Sequence, residues 1–90
     1  MQIHYRQDEF LFLFSKVAIH QQDFELLDSL VNMTDSSRMI LLKCFNMYKK
    51  DQIKEAVKLF KGYHKNTDEL KVDPLMTDIY QELENRMGSL

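Results

Sequence analysis

The clearest hydrophobic pattern in the chain covers residues 37–63 and predicts two antiparallel helices joined by a tight turn. In the first helix, Ile40, Cys44 and Met47 recur at spacings of four and three, which places them on one face. The second helix repeats the pattern with Ile53, Ala56, Val57 and Phe60. The turn falls at Asp51, whose carboxylate is predicted to cap the second helix by accepting from the N–H groups of its first turn.

An unusually apolar helix is predicted before this hairpin, from Glu9 to about His20. Asp8 is its predicted N-cap, and residues 1–7 form an extended or frayed start. Residues 10–14 read FLFLF and point apolar groups in nearly every direction around the helix. We therefore expect this helix either to be enclosed on most sides or to present some of its rings to a partner.

The first half of the chain repeats the pattern of the second half at an offset of 29 residues, the distance from Ser15 to Cys44. A second helix is predicted from about Asp23 to Met33. Its apolar positions match those of the later hairpin: Phe24 with Ile53, Leu27 with Ala56, and Val31 with Phe60. The chain therefore contains an internal repeat of helical hairpins, with a small residue at Ser15 and at Cys44.

Two glycines and one proline in 90 residues favour a single all-α domain. The polar residues from Thr34 to Ser37 supply a turn and the N-cap of the third helix. Asp73 and Pro74 are typical of a helix start, and Gly88 of a helix end. The last helix has an apolar stripe at Leu75, Ile79, Leu83 and Met87. The predicted architecture is about five helices, arranged as hairpin 8–33, hairpin 36–64, a polar connection over 65–73 and a closing helix over 74–87.

The formal charge of −2 hides a strong alternation of charge along the chain. Residues 1–36 carry two basic and six acidic groups, residues 37–65 carry eight and two, and residues 66–90 carry two and six. The segment charges are therefore −4, +6 and −4. We expect acidic and basic helix faces to pair, either within the molecule or with a partner.

The residue types that carry out chemistry are sparse. Cys44 is the only cysteine and lies on the predicted apolar face, which is typical of an inert, packed thiol. The three histidines are scattered, and no spacing matches a metal site. We expect no catalytic residues, no metal, no cofactor and no enzyme activity. The absence of a signal pattern, of a long apolar run and of a possible internal disulfide predicts a cytoplasmic protein with no membrane contact.

The hairpin at residues 37–63 resembles a tetratricopeptide repeat, in which small residues on both helices set the crossing and an aromatic residue follows. Cys44, Ala56 and Phe60 match that pattern, whereas Asp51 stands where a glycine is usual and Tyr63 where an alanine is usual. Residues 10–63 resemble the small tetratricopeptide-like chaperones of type III secretion needle subunits. This resemblance implies a cytoplasmic chaperone that keeps a needle subunit monomeric, together with a second small helical co-chaperone.

The resemblance also implies a concave groove lined by the first helix of each hairpin, which would hold the amphipathic C-terminal helix of the needle subunit. On the same alignment, the partner-binding residues are Phe12, Lys16, Ile19, His20, Arg38, Leu41, Phe45, Tyr48 and Lys49. An apolar groove rimmed by Lys16, Arg38 and Lys49 suits an amphipathic helix with acidic flanks. The alternative is that the chain's own closing helix covers these side chains.

Two other classes of function stay open. One is a small helical nucleic-acid-binding protein that uses the basic segment at 37–65, although nucleic acid is the less favoured partner. The other is a self-associating regulatory protein whose apolar first helix forms a homodimer. Two hairpins are fewer than a stack of tetratricopeptide-like repeats usually needs, because each hairpin buries its apolar face only against a neighbouring hairpin. We therefore expect the isolated chain to be marginally stable and to require a partner.

Overall fold

The computed structural model describes residues 3–34, 37–63 and 67–88 and is all-helical over these ranges, as the sequence predicts. These ranges contain six helices: α1 (Ile3–His20), α2 (Phe24–Val31), α3 (Ser37–Lys49), α4 (Ile53–Gly62), α5 (Thr67–Val72) and α6 (Pro74–Met87). The helices α1 and α2 form one hairpin, and α3 and α4 form the next. The helix α2 also packs on α3, so the first four helices stack in chain order.

The turn between α1 and α2 is a tight helix ending of the Schellman type. Gln22 has a left-handed backbone with φ of 59°. Its N–H donates to the carbonyl of Ile19 at 3.0 Å, and the N–H of Asp23 donates to the carbonyl of Ala18 at 2.8 Å. Asp23 then caps α2, since its side chain accepts from the N–H of Leu26 at 3.1 Å.

The turn between α3 and α4 repeats this geometry 29 residues later, the distance from Gln22 to Asp51. Asp51 has a left-handed φ of 65° and donates its N–H to the carbonyl of Tyr48 at 3.2 Å. The N–H of Gln52 donates to the carbonyl of Met47 at 2.8 Å. The internal repeat read from the sequence is therefore also a repeat of the backbone structure.

Asp51 is not the N-cap of α4, so that prediction is wrong. The cap position belongs to Gln52, which makes no side-chain cap hydrogen bond. The turn needs a left-handed residue directly before the cap, and Asp51 fills that position, where glycine is the usual choice.

The start of α1 also differs from the prediction. The helix begins at Ile3 rather than Glu9, so Asp8 lies inside it instead of capping it. Residues 3–8 contain neither glycine nor proline, and nothing in their backbone preference ends the helix there. The end of α2 differs as well, since this helix ends at Val31 rather than Met33, with Asn32 as its C-cap. The predicted turn residues at 35–36 lie outside the described residues.

A short helix, α5, occupies most of the segment predicted to be a polar connection. Its Leu70 is buried, and the hydroxyl of Thr77 on α6 donates to the carbonyl of Leu70 at 2.6 Å. A helix of six residues is less than two turns long, so its sequence leaves no apolar period that could be detected. The predicted start of α6 is confirmed, because the carboxylate of Asp73 accepts from the N–H of Leu75 at 2.8 Å and Pro74 opens the helix.

The closing helix α6 packs more extensively on α3 than on α4. Its apolar stripe is buried at Met76, Ile79, Leu83 and Met87. The ring of Tyr80 reaches α4, with its centroid 5.6 Å from Phe60 and 6.3 Å from Tyr63. The stack therefore does not continue after α4, because α6 turns back onto the side of α3.

Candidate protein-binding surface

One side of α1 remains apolar and uncovered. Phe10, Leu13, Phe14 and Val17 are 57%, 48%, 52% and 46% exposed, and we call these four residues the α1 face. The rings of Phe10 and Phe14 stack on each other with centroids 6.5 Å apart. Of the five consecutive apolar residues that the sequence singled out, only Leu11 and Phe12 are buried. Enclosure of this helix on most sides is therefore wrong for the chain alone, and the alternative that its rings face a partner stays a prediction.

The internal repeat shows what such a face contacts in this fold. On α3, at an offset of 29 residues, Met39, Leu42 and Asn46 correspond to Phe10, Leu13 and Val17. All three α3 residues are buried, and α3 packs on α2. The amide Nδ2 of Asn46 donates to the carboxylate of Asp28 on α2 at 3.0 Å. The fourth residue, Phe14, corresponds to Lys43, which is half-buried. Three of the four residues of the α1 face are therefore the equivalents of buried α3 positions, and one of those positions binds α2 directly.

The two ends of the stack are consequently different. At the α4 end, Tyr80 covers Phe60 and Tyr63. At the α1 end, the described residues place no helix where α2 would stand if a further hairpin preceded α1. Repeat stacks ordinarily end in a unit with a polar outer face, and the α1 face lacks one.

A shallow depression adjoins the α1 face and extends it toward α6. Its volume is about 430 Å³, and its wall is mainly apolar. It is lined by Leu13, Lys16, Val17, Ile19, His20, Gln21 and Leu75. An apolar side chain of a bound partner could enter this depression while the rest of the partner lies on the α1 face.

The predicted concave groove is not open. Phe12, Leu41 and Phe45 are buried in the core. Ile19, Tyr48, Lys16 and Arg38 are half-buried, whereas His20 and Lys49 are exposed. We infer that α6 covers this side of α3, since Tyr48 and Lys49 line one depression together with the α6 residues Asp78 and Glu82. An open apolar groove at Leu41 and Phe45 is therefore wrong for the free chain. The ring of Phe45 packs on Phe24 of α2, with centroids 6.4 Å apart, while α6 packs on α3 beside it.

The cations predicted to rim the groove make contacts within the chain. Lys16 Nζ pairs with Asp73 at 2.8 Å, and Lys49 Nζ lies 3.4 Å from Glu82. The hydrogen bond from Lys16 lowers the pKa of the Asp73 carboxyl below its ordinary value. Lys16 and Arg38 also lie over the ring of Phe12, at 5.2 and 4.8 Å from its centroid. Lys16 and Lys49 therefore bind the α6 segment, and Lys16 and Arg38 contact the ring of Phe12.

The alternating charge of the chain is partly neutralised within the fold. Lys50 of the basic segment lies 3.4 Å from Glu25 of the first acidic segment, and Lys49 pairs with Glu82 of the last. Pairing of acidic and basic helices inside the molecule is therefore confirmed for these groups. It uses part of the positive charge that the nucleic-acid hypothesis requires.

The residue types that the sequence singled out for chemistry are placed as follows: Cys44 is buried. Burial raises the pKa of the Cys44 thiol to about 12, which keeps it protonated near neutral pH. Within the part of the chain that the structure describes, no group of three or more His, Cys, Asp or Glu residues could hold a metal ion. Over the same residues, none of the helices combines the length and apolar character needed to cross a membrane.

Comparison with known proteins adds no further assignment: no protein-family model, curated protein or solved structure matches this chain. The candidate surface therefore depends on the geometry of the chain itself. Sequence reasoning identified the apolar run but placed the binding residues on the concave side. The signal for the α1 face in the sequence is the offset of 29 residues. It pairs Phe10, Leu13 and Val17 with positions on α3, which are Met39, Leu42 and Asn46.

Proposed function

We propose that this protein is a non-enzymatic protein-binding module that binds a helix of another polypeptide chain on the α1 face. The observation that carries the proposal is the equivalence between three residues of this face and buried positions on α3, the helix that packs on α2. A bound helix would take the position relative to α1 that α2 takes relative to α3. It would thereby complete the stack at its uncapped end.

The chemistry of the α1 face favours an amphipathic helix as the ligand. The four apolar side chains are about half exposed, so covering them contributes roughly 1 kcal/mol each, half of the value for burying a whole side chain. Association and ordering costs offset several kcal/mol of this gain. We therefore expect a tight complex only if the partner also fills the depression beside Leu75.

The experiment uses a stapled peptide with the sequence of residues 23–34. This peptide contains α2, the helix that packs on α3. Titration into isotopically labelled protein should shift the resonances of the α1 face in two-dimensional NMR spectra. Leu13→Asp should abolish the shifts, because it places a charge in the desolvated contact. Leu26→Asp is the matched control, since Leu26 lies on α2 and its exposed fraction of 42% is similar to the 48% of Leu13. Binding that persists unchanged in Leu13→Asp contradicts the proposal.

The needle-subunit chaperone implied by the resemblance is a second candidate, and one observation favours it. The helix α6 is amphipathic and carries acidic groups that pair with Lys16 and Lys49, which is the type of ligand expected for the concave groove. A secreted helix of the same character would have to displace α6 from α3. Co-expression with a needle-type subunit tests this candidate, since Leu83→Asp should weaken the seating of α6 and increase co-purification. Co-purification that is absent in both forms would exclude it.

A further inference from the structure

The α1 face has a symmetry of its own that points to one occupant. We propose that a second copy of this chain covers it, with the two α1 helices packed antiparallel about a two-fold axis. This inference rests on the proposed function, because it uses the same face, but it names the partner. The interface would be isologous, since both subunits contribute the same patch.

The spacing of the four apolar residues fits an antiparallel pairing. Phe10 and Val17 lie equally far from the midpoint between Leu13 and Phe14. When that midpoint lies on the two-fold axis, Phe10 stands opposite Val17 of the partner subunit, and Leu13 opposite Phe14 of the partner subunit. The larger Phe10 ring thus meets the smaller valine, at the edge of the depression lined by Leu13, Val17 and Leu75. The ring of Phe10 is therefore positioned to enter the partner's depression.

The charges beside the α1 face complement one another in the same arrangement. Glu9, Lys16 and His20 follow one edge of the face, since they are seven and four residues apart on a helix. In an antiparallel pair each edge meets the same edge of the other helix. Glu9 therefore lies between the levels of His20 of the partner subunit and Lys16 of the partner subunit, the latter also paired with Asp73 of its own chain. A parallel pairing would instead bring the two Glu9 side chains to the same level, without a basic residue beside them.

The area of the α1 face suits a reversible dimer. Four half-exposed side chains contribute roughly 400 Å² per subunit, taking about 100 Å² for each. A patch of this size is within the range of the largest apolar patch on a typical monomer, roughly 300–600 Å², and such patches are often functional. It is about half of the roughly 800 Å² that a stable interface buries on each side. We therefore expect dissociation in the micromolar range, with the depression adding to the buried area.

Sedimentation velocity across the micromolar range tests the proposal on the full chain. The wild type and Leu26→Asp should pass from monomer to dimer, whereas Leu13→Asp should stay monomeric. Glu9→Lys should weaken the dimer by about three- to tenfold, because a symmetric dimer loses two exposed pairs. Adding His20→Glu should restore most of that loss. Circular dichroism of each variant confirms that helix content is retained.

Disulfide cross-linking tests the register. Phe10→Cys mixed with Val17→Cys should give a cross-linked heterodimer, whereas Phe10→Cys alone should not, because two residues at position 10 are separated by about 10 Å along the helix axis. Cross-linking of Phe10→Cys with itself, or a dimer that persists in Leu13→Asp, overturns the proposal. A chain that stays monomeric while the α2 peptide binds it overturns the second copy as occupant and leaves the proposed function in place. A monomer that binds no peptide overturns both.

Discussion

The crossing of α3 and α4 offers a quantitative test of the internal repeat. Ala56 and Cys44 are completely buried at this crossing. In the first hairpin, the equivalent positions hold Leu27 and Ser15, which are also completely buried. The larger Leu27 is accompanied by a smaller residue one turn along α1, Ala18. In the second hairpin, Met47 occupies the position of Ala18. We infer that each hairpin fills the same space with one large and one small side chain, in opposite order.

The substitution Ala56→Leu should therefore overpack the second hairpin. Inserting a larger side chain into a packed core costs about 1–3 kcal/mol. For a domain of this size, a loss of about 2 kcal/mol lowers Tm by roughly 8–16 °C. Met47→Ala alone should cost about 1–2 kcal/mol, less than the truncation of a fully buried methionine, because Met47 is only half-buried.

The double variant decides the question. Met47→Ala with Ala56→Leu reproduces the order of sizes found in the first hairpin, so the two losses should not add. We expect a favourable coupling of about 1–2 kcal/mol from thermal unfolding followed by circular dichroism. The matched control is Ala56→Leu combined with Leu26→Ala, an exposed site on another helix, where the losses should add. Additive losses in the Met47/Ala56 pair would refute the inferred compensation, and an unchanged Tm for Ala56→Leu would remove Ala56 from the crossing.

Two further predictions concern the turns and the ion pair of α6. Gln22→Gly and Asp51→Gly should each raise the free energy of unfolding by roughly 0.5–1 kcal/mol, because glycine adopts the left-handed backbone without steric cost. The gain should be larger for Gln22→Gly, since aspartate tolerates this conformation better than glutamine. Thermal melts that show no gain at either turn would contradict this prediction. The lowered pKa of Asp73 stabilises the fold above its ordinary value of 3.8 and loses this contribution as pH falls through the folded-state pKa. Asp73→Asn keeps the cap but loses the charge. The free energy of unfolding of the wild type should therefore exceed that of the variant by at most about 1 kcal/mol near neutral pH. That difference should vanish well below pH 3.8 in urea unfolding curves, and a constant difference at all pH values would exclude the ion pair as its cause.

The parts of the fold that the sequence predicted are those fixed by local chemistry. Asp73 and Pro74 start α6 because a capping carboxylate and a preset φ act over three residues. The two hairpins were predicted because a buried stripe at helical spacing needs no knowledge of the partner helix. Asp51 was misassigned because a capping side chain and a left-handed turn residue occupy adjacent positions, and aspartate is acceptable at both.

The candidate site was harder to predict because it depends on where α6 packs. The pattern of Leu41 and Phe45 shows only that a second apolar face exists on α3, and it does not show whether α6 or another chain covers it. Ion pairs of Lys16 and Lys49 with acidic groups fifty-seven and thirty-three residues away settle that choice in the fold. Such distant pairings leave no periodic trace in the sequence.

A stack of two hairpins has three surfaces to cover: two ends and a concave side. A single closing helix covers two of them here, since the apolar stripe of α6 lies on α3 and its Tyr80 reaches Phe60 at the α4 end. At the α1 end, the start of α6 reaches only one edge: Asp73 pairs with Lys16, and Leu75 lines the depression beside Leu13 and Val17. The apolar run of α1 then has a simple cause: Leu11 and Phe12 serve the hairpin, while Phe10, Leu13 and Phe14 have no covering helix in the described fold. Burial of that face by a helix of a second polypeptide chain is what the proposed function and the proposed dimer predict.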